Sequence, residues 1–212
     1  MEKAYKNLGY FLLMLIPLTF LGFYKTYFIQ FPFFEENITT FIHLHAIIAS
    51  IWILLLIVQP LLILYRNNKL HRKIGKLSYT VFPILILSFV PQMIRIINSD
   101  VPQFLFFPLA DSVLLILFYS LAIYHRKNVS RHMRYIIGTA TVFLGPTMGR
   151  IGPHIFEWSE TVTQNIQYGI IYLILIGLIF YDKGNKKNYR PYLLILTTWI
   201  IHLIAFNLIF LN

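Results

Sequence analysis

Residues 39–65 read TTFIHLHAIIASIWILLLIVQPLLILY, and this stretch decides the fold. It contains no Lys, Arg, Asp or Glu. Roughly 20 consecutive apolar residues take an α-helix across a hydrocarbon core, where only a helix or a closed barrel satisfies its own backbone. Positive charge follows at once, in Arg66, Lys69, Arg72, Lys73 and Lys76. An apolar run closed by basic residues reads as a span that ends at a cytoplasmic surface.

Working outward, the same pattern recurs. Seven runs of this kind are expected, at 8–28, 39–65, 77–97, 103–125, 134–156, 163–181 and 192–211. None shows the short alternating segments of an outer-membrane barrel. The first run follows Glu2, Lys3 and Lys6, as a signal peptide would, but no small-x-small cleavage site follows and the run continues past Phe20. It is read as a retained first span. Loops are short and no internal repeat is evident, so the whole chain, 1–212, is expected to form one all-α, polytopic bundle of seven transmembrane helices.

Composition agrees. Of 212 residues, 58% are hydrophobic and 12% charged; mean hydropathy is +0.67. An ordinary soluble domain has roughly 45–50% apolar and about 25% charged residues. A disordered chain, a coiled coil and a small water-soluble enzyme are excluded. The net charge of +10 would suggest nucleic acid in a soluble protein. Here the charges sit in loops between apolar runs, so the expected partners are the bilayer and its anionic headgroups, with no nucleic acid. The absence of cysteine excludes disulfides, thiolate metal sites and cysteine nucleophiles.

The loops set the orientation. With the N-terminus inside, fifteen of the 18 basic residues fall on the cytoplasmic side, leaving Lys25, Arg95 and Arg150 on the other. Glu35, Glu36, Asp100, Glu157 and Glu160 fall outside. The N-terminus is therefore expected in the cytoplasm and the C-terminus outside. Pro60, Pro83, Pro91, Pro108, Pro146 and Pro153 lie within spans and are candidate kink sites.

An ionisable group deep in a span is costly and commonly marks a site. In this topology such groups gather in the outer half. Span 2 carries His43 and His45, whose spacing of two turns them roughly 200° apart on a helix. Span 3 carries Ser88, Gln92 and Arg95 on one face, and span 4 carries Asp111. Span 5 carries Thr147, Arg150 and His154, and span 7 carries Thr198 and His202. Arg150 or Arg95 is the expected partner of Asp111. A second group, His71, Arg72, Arg131, His132 and Arg134, is expected at the cytoplasmic surface as an anion or lipid-headgroup contact.

Three chemistries could use the outer group. Haem b needs two opposed imidazoles and cations near its propionates. His43 or His45 with His154 or His202 would supply the first, and Arg95 and Arg150 the second. Such a protein would transfer electrons, with a quinone or another redox partner. A zinc site would draw on His43, His45, Asp111, His154 and His202 and would make a metal-dependent hydrolase. A path without a bound cofactor would use Asp and His as relays in a proton-coupled carrier. A ligand-free accessory subunit is a further reading. No serine triad, P-loop or dinucleotide fingerprint is present.

His43-x-His45, Trp52, Gln59-Pro60, His71-Arg72-x-x-Gly75-x-x-Ser78-Tyr79 and Arg131-His132-Met133-Arg134 together resemble a class of bacterial membrane proteins. That class carries a domain of unknown function with an HRxxGxxY signature and a later basic-His-basic signature. The resemblance implies a multi-pass protein of the bacterial inner membrane and implies little about activity. A more distant resemblance is to cytochrome b561-type and ferric-reductase-type bundles. It implies haem ligands among His43 or His45, His71, His132 and His154.

Overall fold

The computed structural model describes residues 2–34 and 38–210. Glu35 and Glu36, expected outside, and Leu211 at the end of the last expected run lie outside the described residues. Among the described residues there are helices and no strand. Backbone packing divides the chain into two compact units, Met1–Pro102 and Gln103–Asn212.

The first unit contains α1 (Leu8–Leu12), α2 (Leu15–Tyr24), α3 (Thr40–Leu64), α4 (Asn68–Gly75), α5 (Ser78–Leu87) and α6 (Val90–Ile97). The second contains α7 (Phe106–Tyr124), α8 (Val129–Val142), α9 (Leu144–Ile155), α10 (Glu160–Gly184) and α11 (Arg190–Phe210). Among the described residues six stretches are long and apolar enough to cross a membrane: Lys3–Tyr24, Thr40–Leu64, Asn68–Ile97, Pro102–Tyr124, Glu160–Gly184 and Arg190–Phe210. The expected fifth span appears as α8 and α9, two shorter helices separated at Phe143.

Proline accounts for three of the breaks among the described residues. It lacks an N–H, and its ring crowds the carbonyl four residues earlier. The chain leaves regular helix at Leu13-Met14, Ser88-Phe89 and Phe143, each two to four residues before a proline at 17, 91 or 146. Pro60 and Pro83 sit inside α3 and α5 without ending them. The third rod also begins earlier than its apolar run. Asn67 accepts a hydrogen bond from the Leu70 amide, 3.2 Å, and so caps α4. Lys69, Arg72 and Lys73, expected in a loop, are therefore helical.

In the first unit α3 is the axis, packing on α1, α4, α5 and α6. Trp52, only 2% exposed, meets the Phe82 ring at 5.2 Å. Where lipid surrounds helices, no hydrophobic drive pulls them together, and small residues that allow close approach take over. Gly9 serves this role, since a Cβ there would stand 2.6 Å from the Leu61 side chain and 3.1 Å from its backbone nitrogen.

In the second unit α8 packs on α7 and α11, α9 packs on α10, and α10 packs on α11. The most enclosed rod is also the most polar. From Met133 to Val142 every residue of α8 except Ile136 is buried. Its hydroxyls bond within the helix: Thr139 Oγ1 donates to the Ile136 carbonyl and Thr141 Oγ1 to the Gly138 carbonyl, both at 2.7 Å. Gly138 lets α11 approach, since a Cβ there would lie 2.8 Å from Ile195 Cδ1.

Arg134 corrects the sequence expectation. It was expected at a headgroup, yet it is 0% exposed. Its Nε and Nη2 donate to the two carboxylate oxygens of Asp182, each at 2.7 Å. Nη1 donates to the Ser130 carbonyl at 2.9 Å and to Ser130 Oγ at 2.6 Å. The Tyr192 ring lies 5.8 Å from the guanidinium carbon. This two-point geometry is the strong form of the ion pair, and it joins α8 to α10. Removing one partner of such a pair leaves an uncompensated buried charge, at a cost of about 3–5 kcal/mol. Asp182→Ala should therefore lower thermal stability in detergent far more than the double variant Arg134→Met/Asp182→Leu, measured by the unfolding midpoint of each.

Candidate functional site

The outer-half residues named from the sequence separate by unit. In the first unit His43 and His45 are both half-buried and turn to different neighbours. His43 Nδ1 meets the Tyr27 hydroxyl at 2.6 Å, beside the Phe34 ring at 4.7 Å. Burial pushes the Tyr27 phenol above its ordinary pKa, so it stays protonated at neutral pH. His45 Nδ1 meets Ser88 Oγ at 2.8 Å. Ser88 Oγ donates its own hydrogen to the Leu85 carbonyl at 2.6 Å, so His45 Nδ1 is the donor to it. Arg95 is exposed on α6.

In the second unit Asp111 and His202 come together. His202 Nε2 stands 3.7 Å from Asp111 Oδ1, with the two side chains 4% and 13% exposed. On its other edge His202 Nδ1 bonds the Tyr168 hydroxyl at 2.7 Å. The rings of Phe106 and Trp199 pack on the imidazole with centroids at 4.7 and 5.0 Å. Trp199 is held in turn, its Nε1 donating to Thr141 Oγ1 at 3.0 Å. His202 Nε2 is buried and has no hydrogen-bond partner. A separation of 3.7 Å is too long for a hydrogen bond.

A polar strip continues along α10. Thr163 Oγ1, Gln164 Oε1 and Gln167 Oε1 are buried without hydrogen-bond partners. At positions i, i+1 and i+4 they lie along one side of the helix, and α9 meets that side with Gly145, Gly149 and Gly152. A Cβ at Gly145 would stand 3.3 Å from Gln167 Nε2 and 3.5 Å from Asp111 Oδ2. One at Gly149 would stand 3.8 Å from Gln164 Nε2. One at Gly152 would overlap the Thr163 side chain. The glycines thus hold α9 close to α10 while leaving Asp111, Gln164 and Gln167 room. Buried side-chain polar atoms without partners are rare in folded proteins, and among the described residues four of them lie in this unit.

The remaining candidates stand differently. Arg150 is half-buried and donates from Nη1 to the Pro146 carbonyl of its own helix at 2.9 Å. The group that the fold sets against Asp111 is His202, where an arginine was expected. His154 is exposed near the end of α9. Among the described residues no group of three His, Asp or Glu side chains stands ready to hold a metal ion; of the residues expected for zinc, His43 and His45 lie in the first unit and Asp111, His154 and His202 in the second.

The second expected group has a structural part. His71 Nδ1 lies 3.3 Å from the Gln59 carbonyl. With its amide oxygen turned toward Gly75, Gln59 accepts from the Gly75 amide at 3.0 Å. Ser78 Oγ donates to the Gly75 carbonyl at 2.7 Å. His132 Nδ1 likewise bonds the Ala122 carbonyl at 2.8 Å. Each histidine stands four residues beyond a capping asparagine, Asn67 or Asn128, and ties its helix to the one before. Arg72 is exposed and Arg131 half-buried. Tyr168, Gln164, Gln167 and Asp182 were missed from sequence. Asp182 is the one acid among the basic residues expected near that surface between spans 6 and 7, a signal that was available.

No family model, curated protein or solved structure matches this chain.

Two substitutions check this geometry. Gly152→Ala should destabilise the protein by about 1–3 kcal/mol through forced separation of α9 and α10, with partial recovery when Thr163→Ala removes the overlapping atoms. Tyr168→Phe strands a buried imidazole nitrogen and should cost about 1–3 kcal/mol. Denaturant or thermal unfolding of each variant supplies the test, and an unchanged midpoint contradicts the packing described.

Proposed function

We propose that this chain is a multi-pass protein of the bacterial inner membrane that works as a proton-coupled small-molecule carrier. The supporting observation is the buried line Tyr168–His202–Asp111. A phenol, an imidazole and a carboxyl in sequence are the groups from which proton relays inside membranes are built. Imidazole suits the middle place, because it takes a proton on one nitrogen and releases one from the other. The strip of Thr163, Gln164 and Gln167 leads from the start of α10 toward the relay and offers unmatched polar atoms to water or a polar solute.

In this reading the cytoplasmic N-terminus follows from the basic loops, and the relay opens toward the outer surface. Exposed basic side chains such as Arg72 contact anionic headgroups. Haem-b electron transfer has less support. His202 commits Nδ1 to Tyr168 and turns Nε2 to a carboxyl, while His154 and Arg95 are exposed. The likeness to the class with the HRxxGxxY signature is compatible with the carrier reading, and the clamp of Gln59, His71, Gly75 and Ser78 gives that signature a structural role.

The test is pH-difference infrared spectroscopy of the protein in bilayers. The carrier reading requires a carboxyl band and an imidazole band that titrate together and exchange in deuterated buffer. Asp111→Asn should remove the first and shift the second. Spectra of wild type and Asp111→Asn that coincide across the range of about pH 4–10 overturn the proposal.

A further inference from the structure

The connection from α2 to α3 carries no charge between Lys25 and Glu35, and residues 26–34 read TYFIQFPFF. It is folded. A single 3-10 turn spans Phe28–Gln30. The backbone amides of Gln30, Phe31 and Phe34 donate to the carbonyls of Tyr27, Phe28 and Gln30 at 3.2, 3.1 and 2.9 Å. The bond between the Tyr27 hydroxyl and His43 Nδ1 fastens the segment to α3.

Its polarity is inside out. Thr26 Oγ1 and Gln30 Oε1 are buried, and Gln30 Nε2 donates to the Thr26 carbonyl at 3.2 Å. Phe31 and Phe33 are 75% and 79% exposed, with Phe28 and Ile29 exposed beside them. In water this arrangement is costly, because rings stay wet while polar atoms are withdrawn. Contiguous exposed apolar surface marks a place where a protein meets another apolar medium.

We propose that residues 28–33 are an aromatic anchor that lies in the headgroup–acyl boundary of the bilayer at the α2–α3 end of the protein. Three observations select lipid as the occupant. The first is continuity. The Phe28 ring lies 4.9 Å from the ring of Phe20 on α2. Phe20, Leu21 and Tyr24 are exposed on that helix, which belongs to a stretch apolar and long enough to cross a membrane. The patch therefore extends the face that α2 turns to lipid.

The second is charge. A docking patch for a water-soluble partner is bordered by a polar rim, whereas residues 26–34 hold no charged side chain. The nearest cation is Lys25, at the end of α2, where an anionic headgroup suits it. The third is the backbone. Irregular backbone is not tolerated bare in hydrocarbon. Here turn bonds close three amides and Pro32 has no N–H, so the segment leaves bulk water at reduced cost. That sets its level, with the backbone at the boundary and the rings below the headgroups. The anchor is independent of the relay in the second unit and rests only on the membrane reading.

The chain has no cysteine, so one introduced cysteine places a nitroxide at a chosen position. Full-length Phe31→Cys and Phe33→Cys are spin-labelled and reconstituted in vesicles of phosphatidylethanolamine and phosphatidylglycerol. Power-saturation EPR then compares collisions with oxygen, which partitions into lipid, and with a water-soluble nickel chelate. Leu173→Cys, at an exposed position of α10, gives the lipid reference. Lys187→Cys, exposed beyond α10, gives the aqueous one. Both anchor positions should lose nickel collisions relative to 187 and approach the ratio at 173. The double variant Phe31→Ser/Phe33→Ser, read from a label at Ile29→Cys, should shift that label toward the aqueous reference.

Nickel collisions at 31 and 33 equal to those at 187 overturn the inference, because the segment then lies in water. Few collisions with either reagent overturn it as well, because protein then covers the rings, and spin–spin broadening identifies that cover as a second copy. A label at 29 that the double variant does not move shows that the rings anchor nothing. An aqueous ratio at 173 removes the membrane reading and the anchor together. A lipid ratio at 173 with an aqueous one at 31 and 33 removes the anchor alone.

Discussion

The second unit depends on one constraint: its most polar rod cannot face lipid. Residues 129–155 hold two arginines beyond the first turn, three threonines and four glycines. An arginine at the centre of a membrane helix costs about 2.5–3.5 kcal/mol by insertion scales. The fold meets this by enclosing the rod. Arg134 receives a two-point carboxylate from α10, and the threonines bond back to their own helix. The glycines give up side chains so that α10 and α11 can come close. With α8 and α9 covered, the neighbouring helices turn apolar side chains outward, among them Val113, Leu173 and Ile201.

This enclosure creates the candidate site as well. Gly145 and Gly149 bring α9 up against Gln167, Asp111 and Gln164 without side chains of their own, while Gln164 Oε1 and Gln167 Oε1 remain unmatched. The contrast with Arg134–Asp182 is instructive. There five donors and acceptors are satisfied by near neighbours, and the pair reads as structural. At His202 one nitrogen is satisfied and the other is not. Unmet demand, rather than charge, distinguishes a site from a brace.

Much of the fold was legible because hydropathy is a property of consecutive residues. All of the expected runs correspond to helical rods, and the one that falls short in length is the one with Pro146 after a threonine- and glycine-rich start. Asp111 and His202 were legible as costly groups, since burial in an apolar run can be read without knowing the neighbours. Arg134 was misread for the converse reason. It stands next to Arg131 and His132 at the edge of a run, where hydropathy alone cannot separate a snorkelling cation from an enclosed one.

By itself the sequence determined that the chain is all-helical, where its rods lie, and which side chains are too polar for lipid. Tertiary structure alone decided who meets whom. Arg134 finds Asp182 across 48 positions, and Tyr168 finds His202 across 34. It also decided that His43 and His45 turn to Tyr27 and Ser88. The physical reason is that a helix specifies only its own backbone partners, while the rotation and spacing of neighbouring helices are set by glycine contacts and proline breaks spread along the chain.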